Sequence, residues 1–280
     1  MPLVTLTAGN DKAPPPAIAA GDTVLGLGGN DTINAAGNTL VFGNQGNDLL
    51  IGGGAGDTLF GGQGDDSVKS GAGSSLLLGD KGKDTVISVF GDTLYGNTET
   101  DVLIVSAKSL AFGGQGNDTL LAASGGATGA TLAGDKGNDV VKGSGGSQLF
   151  GDDVTNTLEG ADAGADTIHG FTGDTVFGGG GNDSLVSFGA TLIYGNKGND
   201  SLGFADTVTS GTNVSLYGGQ GSDTLVGKGG ALLFGDKDSD VLIAIEVGGK
   251  SDTLIGGEGS DRFISTEVGD LIIGGTDSIP

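Results

Sequence analysis

The chain has 280 residues, enough for one or two domains, and 61 of them are Gly. That share points to a collagen-like, low-complexity or repeat chain, and 5 prolines with no G-X-Y period exclude collagen. With 12 Lys plus Arg against 35 Asp plus Glu, the net charge of −23 repels nucleic acid and anionic lipid headgroups and attracts cations.

There is no Cys, which removes disulfide and thiol chemistry and fits a secreted bacterial-type protein. No apolar run approaches the length of about 18 residues that a membrane-spanning helix needs. The N-terminus, MPLVTLTAGN, lacks both the basic and the apolar region of a cleaved signal peptide. It reads as a first half-coil with Val4 inward. Pro14, Pro15 and Pro16 then make a stiff excursion, so residues 1–20 form the entry to a repeat array.

In the array, Gly-rich turns end in Asp11, Asp31, Asp48, Asp66, Asp84, Asp101, Asp118, Asp139, Asp166, Asp183, Asp200, Asp223, Asp240 and Asp261, many of them 17 or 18 residues apart. Two residues after the Asp comes an apolar residue, from Ile33, Leu50 and Val68 through to Leu242 and Phe263. About nine residues on lies a second short apolar stretch, such as DTLF (57–60), TLIY (191–194) and ALLF (231–234). The pattern predicts an all-β chain: a parallel β-roll, or β-solenoid, of about fourteen coils with two short strands each, forming a single array over 1–280. Alternation along three-residue strands points the middle residue inward, as for Leu50 and Leu59. Insertions fall in the second, irregular turn column. The segment 152–166 interrupts the array and is expected to break the Asp column between Asp139 and Asp183. Residues 274–280, GGTDSIP, read as the end of the array.

The Asp column needs a partner. Neighbouring carboxylates about 4.8 Å apart would repel by about 0.9 kcal/mol per pair even in water. Gly permits positive φ, so backbone carbonyls can converge beside each carboxylate. A flexible shell of hard oxygens suits Ca²⁺ better than Mg²⁺. The expected metal ligands are Asp31, Asp48, Asp66, Asp84, Asp101, Asp118, Asp139, Asp183, Asp200, Asp223, Asp240 and Asp261, holding several Ca²⁺ stacked along one edge. About one Asp per ion means weak sites, of the 10⁻⁴–10⁻³ M extracellular class. Glu99 and Asp238 stand where their turns should carry Gly. The other edge has scattered Asp residues, of which Asp252 and Asp270 are the best candidate pair.

GGQGNDTLL (113–121) resembles, position for position, the nonapeptide of the RTX (repeat-in-toxin, haemolysin-type calcium-binding) family. Close variants cover nearly the whole chain. The resemblance implies a β-roll, Ca²⁺ held between neighbouring loops of one edge, and type I export as an unfolded chain without a cleaved N-terminal signal.

The second strand often ends in an aromatic residue, at Phe42, Phe60, Tyr95, Phe112, Phe150, Phe177, Tyr194, Tyr217 and Phe234, which is expected to point outward in a stacked ladder. His169, the only His, reads as a surface residue. No catalytic triad, paired-carboxylate cleft, phosphate loop or zinc ligand set is present, so the chain reads as non-enzymatic. The function expected is a secreted calcium-binding β-roll with a structural role at the cell surface or in the matrix, as a surface layer, adhesin stalk or self-assembling filament subunit. Its partners would be Ca²⁺ and either a second copy or a cell-surface polysaccharide or protein. The alternative is a C-terminal secretion and folding module of a larger RTX toxin or hydrolase.

Overall fold

The computed structural model describes residues 2–13, 18–123, 128–155, 163–189, 191–208, 214–245, 248–266 and 269–274. Pro14, Pro15 and Pro16 and nearly all of 274–280 lie outside the described residues. All regular structure is β, and the strands form a β-solenoid of about fourteen coils. The chain divides into two compact units, 1–134 and 135–280.

In the first unit one sheet runs in the order β1 (Leu3–Thr5), β3 (Thr23–Leu25), β5 (Leu40–Gln45), β7 (Thr58–Gln63), β9 (Leu76–Lys81), β11 (Thr93–Thr98) and β13 (Leu110–Gln115). The other runs β2 (Lys12–Ala13), β4 (Thr32–Asn34), β6 (Leu49–Ile51), β8 (Ser67–Lys69), β10 (Thr85–Ile87), β12 (Val102–Val105) and β14 (Thr119–Ala122). The unit boundary falls within β15 (Thr131–Lys136).

The second unit repeats the plan. One sheet holds β17 (Gln148–Phe150), β19 (Thr175–Gly180), β21 (Leu192–Lys197), β23 (Ser215–Gln220), β25 (Leu232–Lys237), β27 (Thr253–Glu258) and β29 (Leu271–Ile273). The other holds β16 (Val140–Lys142), β18 (Thr167–Gly170), β20 (Ser184–Ser187), β22 (Ser201–Phe204), β24 (Thr224–Lys228), β26 (Val241–Ile245) and β28 (Arg262–Ser265). Each strand pairs in parallel with its equivalent one coil away, so like residues align: Val41 with Leu59, and Leu59 with Leu77.

The core is a single layer between the sheets. Ile33, Leu50, Val68, Val86, Leu103 and Leu120 from one sheet are sealed from solvent, as are Val41, Leu59, Leu77 and Leu94 from the other. Branched and aliphatic side chains suit this pleated, half-buried surface. The expected inward positions hold throughout, except that Phe263 and Val4, near the ends of the array, are only half-buried.

The strands are not all three residues long. In the sheet containing β5 they run to six, continuing past the aromatic position into the turn, as LVFGNQ does. The turn is itself hydrogen-bonded coil to coil: Asn44 pairs with Gly62 and Gln45 with Gln63. That continuation carries order from the core into the Asp edge.

The aromatic ladder is present in pieces. Phe42 stacks on Phe60 at 4.9 Å, and Tyr95 on Phe112 at 5.1 Å. In the second unit Phe150, Phe177, Tyr194, Tyr217 and Phe234 stack in unbroken succession. Leu78 interrupts the first run, because it occupies the aromatic position between Phe60 and Tyr95. Phe150 departs from the expected outward exposure: it is 8% exposed. His169 is half-buried rather than a free surface group. It leans on Phe188, itself stacked on Phe171, and burial with the nearby Lys142 charge lowers its pKa.

Candidate metal edge

Each regular turn follows one backbone recipe. The second and fourth turn positions both sit at positive φ, as at Gly62 (115°) and Gly64 (121°). Asn or Asp takes the second position in several coils, at Asn44, Asp80, Asn97, Asn196 and Asp236, the residue types that tolerate this region best after Gly. Glu99 (78°) and Asp238 (73°) adopt the same conformation as the Gly they replace, so their turns keep the common geometry. Side-chain space is absent at the first position. A Cβ at Gly43 would collide with Oδ2 of Asp48 and the carbonyl oxygen of Gly61 in the next coil. Gly61, Gly96, Gly113, Gly195 and Gly218 meet the same two kinds of atom.

The Asp side chains are shut away from solvent. Asp48, Asp66, Asp101, Asp183 and Asp223 are all at most 3% exposed. One oxygen of each is bound to the coil before it. The N–H of Asp31 donates to Oδ1 of Asp48 (2.7 Å), that of Asp48 to Asp66 (2.7 Å), and that of Asp66 to Asp84 (2.7 Å). The series continues through Asp101 and Asp118. In the second unit the Asp139 N–H donates to Asp166 (2.7 Å), Asp166 to Asp183 (2.8 Å), and the ladder continues to Asp261. The segment 152–166 therefore does not break the ladder. Asp166 stands in it, although its irregular surroundings kept it out of the expected ligand set. Residues 156–162 lie outside the described residues.

The other oxygen is the informative one. Oδ2 of Asp31, Asp48, Asp66, Asp84, Asp101, Asp166, Asp183, Asp200, Asp223, Asp240 and Asp261 is buried and receives no hydrogen bond from the described residues. A buried carboxylate oxygen with no donor is costly, and repeating it every coil compounds the cost. Burial accordingly raises the carboxyl pKa, to about 6 at Asp48 and Asp200, about 7 at Asp66 and Asp101, and about 8 at Asp166, Asp183 and Asp223. At Asp11, where the column begins, Oδ2 instead accepts from the Thr7 N–H and hydroxyl.

The opposite edge differs in kind. Its buried carboxylates are satisfied by the protein, except at the first coil, where Oδ1 of Asp22 receives no hydrogen bond from the described residues. Asp57 accepts the N–H of Thr39 (2.9 Å) and of Gly53 (3.2 Å). Asp92 accepts from the N–H of Ser75, the Ser70 hydroxyl and the N–H of Val89. The expected pair there does not leave an open ligand set: Asp252 accepts from Gly229 and Ala231, and Asp270 from the Asp252 N–H and the Ser265 hydroxyl. Coils without Asp supply a hydroxyl, since the Asp57 N–H donates to Ser75 Oγ (3.2 Å) and that of Asp92 to Ser109 Oγ (3.1 Å). In the first unit carboxylate and hydroxyl thus alternate along this seam.

A further ladder flanks the metal edge. In many coils the residue before the Asp makes a bond of its own to the preceding coil, running the other way. The N–H of Asn47 donates to Oδ1 of Asn30 (2.9 Å), that of Asp65 to Asn47 (3.1 Å), and that of Asn199 to Asn182 (2.7 Å). This clamp was missed in the sequence, although the recurring Asn ahead of Asp marks it.

Among the described residues no three His, Cys, Asp or Glu side chains converge as a metal cage. Any ion on this edge must draw on paired carboxylates and backbone carbonyls. The oxygens without donors, and the carbonyls crowded against the first Gly of each turn, are such a donor set, and they fit a hard divalent cation.

No curated protein matches the chain. The sequence profile of the RTX calcium-binding nonapeptide repeat (four copies) matches residues 19–38, 34–68, 60–92, 110–128, 124–147, 150–185, 205–231 and 245–272, together most of the chain. Most of the turns built around the buried Asp ladder lie within the matched residues, and the chain belongs to the RTX calcium-binding repeat family.

Proposed function

We propose that this protein is a secreted β-roll with a structural role at the cell surface or in the extracellular matrix, and that it folds as it binds Ca²⁺ along one edge. The observation that carries the proposal is the line of buried Oδ2 atoms without a hydrogen-bond donor. The residues that would hold the ions are Asp31, Asp48, Asp66, Asp84, Asp101, Asp118, Asp139, Asp183, Asp200, Asp223, Asp240 and Asp261, with Asp166 added. Bound Ca²⁺ supplies the positive charge that the carboxylate column lacks. The protein contributes the rest: Oδ1 ties each Asp to the preceding coil, Gly keeps the carbonyls close, and the Asn clamp fixes the coil spacing.

With about one carboxylate per ion, affinity belongs to the weak extracellular class. Such sites fill outside the cell and are empty in cytosol, so the chain would stay expanded until exported. A type I route fits that order of events.

Calcium titration followed by sedimentation velocity and ion stoichiometry tests the proposal. Compaction should accompany binding in the millimolar range. Asp48→Asn and Asp183→Asn each keep an Oδ1 acceptor but put an amide where the ion would sit. Each should lower the number of ions bound and raise the calcium midpoint severalfold, whereas Asp57→Asn should leave the ion count unchanged. An unaltered count in the Asp48 and Asp183 variants would overturn the one-edge assignment. Regular large species in calcium would favour an assembling surface protein, and a compact monomer would favour a folding module of a larger protein.

A further inference from the structure

We propose that the first unit carries a binding groove for an uncharged polysaccharide, lined by the second and third positions of the turns whose Asp side chains face the candidate ions. The proposal rests on the calcium-loaded roll being the folded state. The groove, of about 870 Å³, runs along the outside of the sheet that contains β5, β7, β9 and β11. It forms where these strands pass from the aromatic ladder into the turn. Phe42, Phe60, Gln45 and Gln63 line it, together with the backbone at Gly62.

The lining selects by charge. In a protein of net charge −23 this groove holds one acid, Asp80, and one base, Lys81. A polyanion gains nothing there and is repelled by the rest of the surface, and a polycation has stronger partners elsewhere. The occupant these side chains match is neutral.

They also select by hydrogen bonding. Gln45 and Gln63 are exposed, lie in register one coil apart, and their amides have no protein partner among the described residues. Each offers a carbonyl acceptor and a two-proton donor, the pairing that hydroxyl groups take up. Repetition from coil to coil favours a ligand that is itself a chain of like units lying along the roll. Phe42 and Phe60 stack face to face at 4.9 Å and 8°, so the groove meets their ring edges. Those edges carry the positive part of the aromatic quadrupole and suit hydroxyl oxygens.

An extended peptide is a poorer match. Peptide capture on sheets relies on free backbone edges. Here the backbone of the floor is already committed, with Gly62 paired to both Asn44 and Asp80, and the N–H groups of Gly46 and Gly64 donating to Gln63 and Lys81.

Isothermal titration of the full chain in millimolar Ca²⁺ with a neutral β-glucan oligosaccharide tests the site, with a polyuronate and a neutral extended peptide as competitors. The glucan should bind, and chelator should abolish binding. The double variant Gln45→Ala/Gln63→Ala, changed only at exposed positions, should weaken binding at least tenfold while leaving calcium-linked compaction intact. Absence of glucan binding by the compact protein, undiminished binding in the double variant, or preference for polyuronate or peptide would each overturn the groove assignment and leave the calcium reading standing. Failure of calcium to compact the chain would instead remove the calcium reading first.

Discussion

At the scale of single residues, Gly is what makes the buried Asp edge. Gly43 and Gly61 leave room in which a carboxylate oxygen and a neighbouring carbonyl meet, and a methyl group would occupy that room. Gly61→Ala should therefore cost more than about 3 kcal/mol in calcium-loaded stability, the range of overpacked and strained sites. Gly203→Ala, where the nearest group to an added Cβ is Val226 at 3.6 Å, should change stability by less than about 0.5 kcal/mol. Denaturant melts in saturating Ca²⁺ compare the two. Glu99 presents the reverse case, a long side chain held at φ 78°. Relief of the left-handed strain in Glu99→Gly should stabilise the loaded roll by about 1 kcal/mol, readable as a higher melting temperature.

At the scale of the element, the two edges of each coil solve the same problem with different materials. Both bury a carboxylate next to the previous coil's backbone. On the irregular edge N–H groups and hydroxyls complete its bonds beyond the first coil, and on the regular edge one oxygen is left over. This explains why the Asp residues of the second edge looked scattered in the sequence. In the first unit they recur every second coil, at Asp22, Asp57 and Asp92, with Thr39, Ser75 and Ser109 between them, so the period is two coils rather than one. Ser75→Ala would strand the buried N–H of Asp57. It should destabilise the roll by about 1–3 kcal/mol, the cost of an unpaired buried donor, without altering the number of calcium ions bound. A lost ion in that variant would contradict the one-edge assignment.

At the scale of the whole molecule, charge and folding are coupled. The column carboxyls have raised pKa values in the folded chain, so between their ordinary value near 4 and about 6–8 the folded state binds more protons than the unfolded one. Stability of the metal-free roll then falls as pH rises through that window. On the proposed assignment, protons and calcium compete for the same oxygens. In chelator, the chain should be more compact at pH 5 than at pH 8, whereas with calcium the apparent affinity should rise from pH 5 to pH 8, with protons released on binding. Circular dichroism titrations at the two pH values check both signs.

The sequence by itself determined whatever is local and repeated. The Asp spacing, the apolar residue two positions later and the aromatic position disclose the roll, its core and one edge of aligned Asp residues, because each coil restates the same short-range rules and parallel stacking copies them into lines. Asp31, Asp48 and Asp66 were legible as a column for that reason. Tertiary structure decided what depends on the neighbouring coil. It returned Asp166 to the ladder across an irregular segment, since a hydrogen bond to Asp139 depends on position in space and not on spacing along the chain. It showed Asp252 and Asp270 to be satisfied by N–H and hydroxyl donors, which no count of carboxylates reveals. It also revealed the Asn clamp and carried the six-residue strands into the turns, because whether a polar atom has a partner is settled only once the coils stack.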